Sequence, residues 1–331
     1  MSLSTRREIQ LMLTNITCNS LVPVNHLFRR IDKLLDLTSC EQEFSSLYSK
    51  DGKNGLPVRQ ALRMMIVQFM QDYSDRQMEK ALEENIAVKW FCGFELQDNT
   101  PDHSFFGKFR KRLGTNGVAK VFNSSVEQIR LQGFVGDVFQ FIDSTTIITK
   151  GALWEERDKA IKDGIDKLNN DVVKEYAADP QGRFGCKGKN KFFFGYKRHI
   201  SSDMRQGIIT KIAVTPGNVP DGQAIKHVLN PGSMVIADKA YCSQSSLNAM
   251  RARGCHDGSI KKQNMKNKNR EKDRWLSRLR SPFEGLFSKL QRRARYRGQS
   301  KVQMQAFMEG LIHNLKRWVV IDDALRNHAV T

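Results

Sequence analysis

Two apolar runs, each closed by an aspartate, constrain the fold of this chain more than any other feature. In 138-VFQFID-143, Val138, Phe139, Phe141 and Ile142 read as a buried strand running into Asp143, and 234-MVIAD-238 repeats the form up to Asp238. Between them, 191-KFFFGYKRHI-200 and 207-GIITKIAV-214 read as two more strands, joined through Ser202, Asp203 and Gly207. Three successive strands imply an antiparallel meander. After the loop 215-TPGNVPDG-222, a helix near 223–229, the strand 234–237, a helix near 243–252 and a short strand near 255–260 alternate as in a parallel extension of a sheet. The class is therefore α/β, with final helices predicted at 282–294 and 300–318. Residues 151–180, with eight acids and five bases, read as a charged helical insertion.

The first part of the chain carries no strand signal. Residues 1–50 form an N-terminal helical segment, and 51–130 read as an all-helical domain. Pro57 opens an apolar-periodic stretch (Val58, Leu62, Met65, Ile66, Phe69), and Ser74 with Gln77 forms a capping box for a second helix through Asn85. The segment 100-TPDHSFFGKFRKRLG-114 offers Thr100 or Asp102 as a cap and Gly114 as a stop. Three short helices ending in a basic one resemble a helix-turn-helix cluster. Lys111 and Arg112 are then DNA contacts, or else part of a solvated face with Lys108 and Arg110.

Charge narrows the partner. The formal net charge is +19, and residues 251–301 hold 17 Lys/Arg against 4 Asp/Glu, a surplus of 13. Such a field predicts a polyanionic partner, with nucleic acid ahead of a membrane surface. No run of 18 apolar residues exists and no apolar leader follows Met1, so no membrane partner is expected and the location is the cytosol. Six cysteines without a CxxC pair argue against structural zinc and a disulfide scaffold, and are expected to be reduced and buried.

Asp143 and Asp238 stand at strand ends, where a sheet presents groups to a crevice. A third acid, Glu284, is isolated in 278-RLRSPFEGLFSKLQRRARYRG-298 among Arg278, Arg280, Lys289, Arg292, Arg293, Arg295 and Arg297. Each has a simpler reading: turn or cap for the aspartates, and for Glu284 the third position of a capping box with Ser281 as cap and Pro282 at the first helical position. Taken together, three carboxylates beside a basic surface suit divalent metals acting on phosphodiesters, with the bases holding the phosphate backbone.

Strand meander, helix, strand, helix, strand, helix, with acids on the first strand, the fourth strand and the last helix, is the layout of the ribonuclease-H-like fold. The chain resembles an insertion-sequence DDE transposase of the insertion-sequence-five kind. The resemblance covers most of the chain: 72-DYSDRQMEKALEENIAVKWFCGF-94 and 101-PDHSFFGKFRKRL-113 resemble the helical domain of those proteins, while 141-FIDSTTI-147, 179-DPQGRFGCKGKNKFFFGYKRHI-200, 214-VTPGNVPDG-222 and 235-VIADKAY-241 match core motifs in order.

That resemblance implies a ribonuclease-H-like (retroviral-integrase-like) catalytic domain over 134–320, with Asp143, Asp238 and Glu284 as catalytic and metal-binding residues. It implies Mg²⁺, with Mn²⁺ able to substitute, and double-stranded DNA as partner, both terminal inverted repeats and target. It also implies a homodimer when ends are paired, and a nucleoid-associated bacterial cytosolic location. In the family signature around the glutamate, Arg280 and Glu284 fit, whereas Ser277 stands where Tyr is usual and Gln291 where a base is usual. Arg292, about 80° around a helix from Glu284, is the substitute contact.

Arg280, Arg293 and Arg295 join Arg292 as expected DNA contacts, and so do Lys239 and Tyr241, for which ordinary packing is the alternative. His199 reads as a core histidine and Asp221 as a helix cap. Two other functions fit the same pattern: a catalytically inactive DNA-binding protein derived from a transposase, and a ribonuclease-H-like nuclease without strand transfer.

Overall fold

The computed structural model describes residues 16–47, 55–151, 171–188, 191–265, 268–286 and 290–329. The chain divides into two compact units, Met1–Val121 and Phe122–Thr331. Among the described residues no helix is long and apolar enough to cross a membrane.

The first unit is built on α1 (Leu27–Leu34), α2 (Val58–Met70), α3 (Asp75–Glu84) and the start of α4 (His103–Leu131). Ala61, Leu62, Met64, Met65, Ile66 and Val67 of α2 are all buried, so this helix is covered on nearly every side, as a run apolar all round requires. Ser74 forms the expected capping box with Gln77. Of the two cap candidates for α4, Asp102 accepts the N–H of Ser104 at 2.8 Å. Gly114 leaves the helical region at φ 64°, but the chain re-enters the helix at once, so the expected stop is a kink. Arg110 is not on a solvated face: it makes a two-pronged pair with Asp75 at 2.8 and 2.6 Å, while Lys108, Lys111 and Arg112 are exposed.

The second unit holds a six-stranded mixed sheet: β1 (Phe139–Ile148), β2 (Arg183–Lys187), β3 (Lys191–Asp203), β4 (Ile209–Pro216), β5 (Met234–Ala237) and β6 (His256–Ser259). β3 runs antiparallel to β1 on one edge; on its other edge β2 and β4 pair end to end, β2 with 191–195 and β4 with 196–202. β5 then pairs parallel with β1, and β6 parallel with β5. Gly195 sits at φ 148° where these strands crowd, and a Cβ there would lie 2.1 Å from the Ile147 carbonyl oxygen, so only glycine fits.

α5 (Gln244–Ala252) covers one side of the sheet, and Ile142, Val235 and Ala237 join Met250 in that core. α6 (Arg270–Glu284) covers the other, where the Phe283 and Phe141 rings lie 5.8 Å apart. α7 (Gln299–Ala329) lies along β4, whose outer edge has no strand partner. Its polar side chains take that edge: Asn314 accepts from Ile209 N at 2.8 Å and donates back to Ile209 O at 2.8 Å, and Gln303 accepts from Val214 N at 2.6 Å.

Several boundaries differ from the sequence reading. β1 continues five residues beyond Asp143, and β2 was not anticipated. The helix near 223–229 is a four-residue turn, Asp221–Ala224, followed by a 3₁₀ turn, Ile225–His227. The largest difference is α6, which begins at Arg270 rather than 282. Asn269 caps it by accepting the N–H groups of Glu271 and Lys272 at 3.0 Å each, and 270–280 contains neither Gly nor Pro, so the helix starts upstream and Pro282 falls in its last turns. Ser281 therefore caps nothing. Of the insertion, Asp171–Tyr176 is a helix and 152–170 lie outside the described residues. All six cysteines are free, and Cys186 is half-buried rather than buried.

Candidate active site

Period-two alternation decides which way Asp143 points. Phe141 and Asp143 share one face of β1, and Phe141 packs against α6; Ile142 and Ser144 take the opposite face. Parallel pairing matches Phe141 with Ile236 and Ile142 with Ala237, so Asp143 and Asp238 come next on adjacent strands, at the same level. Asp238 directly follows β5 and caps the 3₁₀ turn Lys239–Tyr241, accepting the Lys239 N–H at 2.7 Å. The cap and the site use the same carboxylate.

α6 then brings the third acid. Arg280 Nη2 lies 3.7 Å from Asp143 Oδ2 and 3.8 Å from Glu284 Oε1, and Nη1 lies 3.3 Å from Asp238 Oδ1. The Arg280 side chain is only 9% exposed and sits over the Phe141 ring at 5.7 Å. Exposure rises from Asp143 (26%) through Asp238 (38%) to Glu284 (61%). Arg280, expected to contact DNA, is thus turned inward as the common counter-ion of the three carboxylates. Its contacts are long for charge-assisted hydrogen bonds, and its Nε has no hydrogen-bond partner among the described residues. One guanidinium facing three carboxylates leaves the group under-compensated.

That deficit shows in Asp143. Burial pushes its carboxyl up to about 6, and Asp238 and Asp221 push the same way; the Ser144 N–H at 2.8 Å and Arg280 only partly oppose this. The donor set, hard carboxylate oxygens short of positive charge, suits a divalent cation such as Mg²⁺. Among the described residues, no three His, Cys, Asp or Glu side chains already stand grouped as a metal cage.

Behind β1 lies a second polar group. Asp221, expected to cap a helix, makes no capping bond. Instead it accepts from Ser144 Oγ at 3.1 Å and pairs with Lys197 Nζ at 3.0 Å. His199 is a core histidine as read: fully buried, its Nε2 2.9 Å from Thr215 Oγ1, and held well below its usual pKa, at about 4, by burial. Tyr241 is fully buried in the core with Ile142 and Val235, so it offers no surface to DNA; the 3₁₀ turn after Asp238 rotates it inward while leaving Lys239 exposed.

Residues 290–298 of the basic segment are not helical. Ile148 N donates to Arg292 O at 2.8 Å and Ala294 N to Ile148 O at 2.9 Å, Arg198 Nη2 donates to Gln291 O at 3.0 Å, and Gln305 Nε2 to Arg293 O at 3.0 Å. Main-chain bonds hold this segment, and the side chains of Arg292, Arg293 and Arg297 are exposed while Arg295 is half-buried. The 80° helical relation between Glu284 and Arg292 therefore does not exist. Arg198 itself pairs with Glu309 of α7 in the interior, a pair the sequence reading missed. Its only trace in the sequence is 197-KRH-199 inside an apolar strand.

A solved structure, the cryo-EM structure of piggyBac transposase synaptic complex with hairpin DNA, is similar at a TM-score of 0.33 and 13% identity over 80% of this chain; the chain spans about half (54%) of that one. Residues 16–112 match the family described as Transposase domain (DUF772), and 136–315, more than half of the chain, match the family described as Transposase DDE domain. Proteins of the latter family catalyse metal-dependent DNA cleavage and strand transfer, and this chain belongs to the DDE transposases.

Proposed function

We propose that this protein cuts DNA at the terminal inverted repeats of its own element and joins the freed 3′-OH to target DNA, with Asp143, Asp238 and Glu284 as the reacting centre. The observation that carries this reading is the convergence of the three carboxylates on Arg280. The antiparallel β4, β3, β1 followed by parallel β5 and β6 supports a ribonuclease-H-like core.

Asp143 and Asp238 are the residues to hold Mg²⁺, or Mn²⁺ in its place, with Glu284 completing the set. A bound divalent cation supplies Lewis-acid polarisation of the phosphoryl group and lowers the pKa of water. The chain's own contribution is positional. β1 and β5 hold two carboxylates in register, and α6 carries the third on a rigid element. Arg280 partly offsets their charge in the free protein. The exposed Lys239, Arg292, Arg293 and Arg297 supply phosphate-binding charge, with Arg295 partly withdrawn; Lys111 and Arg112 give the helical unit its own basic surface. Pairing of two ends by a homodimer, in the bacterial cytosol, belongs to the same reading.

The test is the full-length protein with a duplex built from the DNA flanking its gene, with and without Mg²⁺. Mg²⁺-dependent nicking followed by joined products in the presence of a 3′-OH strand is the expected result. Binding without any cut would make it an inactive DNA-binding relative, and cutting without joining a nuclease.

A further inference from the structure

α6 has a third face that the acid cluster does not use. At about 100° per residue, Asp273, Leu276, Arg280 and Phe283 turn toward the sheet and Glu284 lies on the border of that face. Arg270, Arg274 and Arg278, four residues apart, form the next strip, beginning about 40° beyond Glu284. All three are exposed, and none forms an ion pair with any described residue. They line a 740 Å³ cavity with Lys268, whose Nζ lies 3.7 Å from Asp273 Oδ2. Asp273 is the cavity's one acid, and its other carboxylate oxygen accepts the Lys261 N–H at 3.1 Å. Three exposed guanidinium groups thus stand without an ion-pair partner among the described residues, on the helix that carries Glu284.

We infer that this strip and cavity hold the phosphates of one DNA strand and set its register relative to the acids. The inference rests on the cleavage reading above and adds where the strand runs. Arg270 to Arg278 spans about 12 Å of helix axis, and Arg278 lies about 9 Å before Glu284, at a rise of about 1.5 Å per residue. One DNA strand advances about 3.4 Å per phosphate. The strip therefore matches phosphates about three to six nucleotides from the phosphodiester that is cut. An arginine presents a planar fork to phosphate oxygens, and side chains four apart on one helix share a direction at about 6 Å spacing, so roughly every second phosphate meets an equivalent donor. The contact reads backbone rather than sequence.

The experiment compares the intact protein with R270Q/R274Q/R278Q, changes confined to exposed positions, with circular dichroism as the check on folding. On a random-sequence duplex, the slope of log K against log salt is expected to fall by about 2–3, at roughly 0.9 per lost phosphate contact. On a duplex carrying the cut site, methylphosphonates placed three to six nucleotides from the cut are expected to weaken binding of the intact protein at least several-fold, and not to weaken the triple variant further. An unchanged slope, or a methylphosphonate effect that persists in the variant or maps elsewhere, overturns the inference. If the intact protein cuts and the slope is unchanged, the strip alone is wrong. If the slope falls but neither protein cuts with Mg²⁺, the strip stands and the cleavage reading fails.

Discussion

Asp143→Asn is expected to reduce metal-dependent strand cleavage by about 10³-fold or more, because in the proposed centre this carboxylate holds the metal, its loss forfeits several kcal/mol of transition-state stabilisation, and ~1.4 kcal/mol is tenfold. The same change is expected to leave the fold as stable as before at neutral pH, or more so. The folded-state carboxyl titrates at about 6, above its unfolded value near ~3.9. The folded state therefore holds the proton more tightly between those values. Stability from this group is fully present below about pH 4 and is lost as pH rises through about 6, reaching a cost of order 2–3 kcal/mol at neutral pH. Asparagine keeps the acceptor for the Ser144 N–H and removes the charge. Denaturant unfolding at pH 7.5 and pH 4.5 should thus show the parent losing ground to the variant as pH rises. Glu284→Gln is the companion: this exposed side chain at the end of α6 is expected to change stability by less than about 0.5 kcal/mol while cleavage is lost. Cleavage surviving in either variant would remove that residue from the reacting centre, and an Asp143→Asn protein less stable than its parent at pH 7.5 would mean that Arg280 outweighs burial.

Glu309→Leu is expected to destabilise the second unit by about 3–5 kcal/mol, since it leaves Arg198 buried with no compensating charge. For a domain of this size that lowers the melting temperature by roughly 10 °C. Arg198→Met combined with Glu309→Leu should recover most of the loss, because replacing both members of a buried pair by apolar groups is often neutral. DNA affinity should not recover with it. Arg198 also donates to Gln291 O, and without that bond the segment bearing Arg292 and Arg293 loses one of its anchors. Thermal melts and binding isotherms on the three proteins separate the two effects; a double variant no more stable than Glu309→Leu would refute the uncompensated-charge account.

The two aspartates were legible because each closes an apolar run, a signal strong enough to survive a wrong strand end at Asp143. The Ser74 capping box was legible for the same reason: a local pattern whose partners are three residues apart. What escaped was set by distant partners. Ser281, Pro282 and Glu284 satisfy every local rule for a helix start, yet Asn269 caps a helix that begins twelve residues before Pro282 was expected to open one. Tyr241 follows a polar stretch and reads as surface, but the turn capped by Asp238 carries it into the core. Asp221 looks like a cap after proline, and only the fold reveals Ser144 and Lys197 as its partners.

Asp143 and Asp238 differ in how firmly the backbone grips them. Asp143 lies inside β1, hydrogen-bonded through β3 on one side, with five further strand residues beyond it. Asp238 lies just past the last residue of β5, where the chain turns into three residues of 3₁₀ helix. The first carboxylate is thus placed from within a paired strand and the second from a strand end. In the proposed reaction the phosphorus exchanges one oxygen partner for another, and any accompanying shift of Asp238 would move a turn rather than the interior of a paired strand.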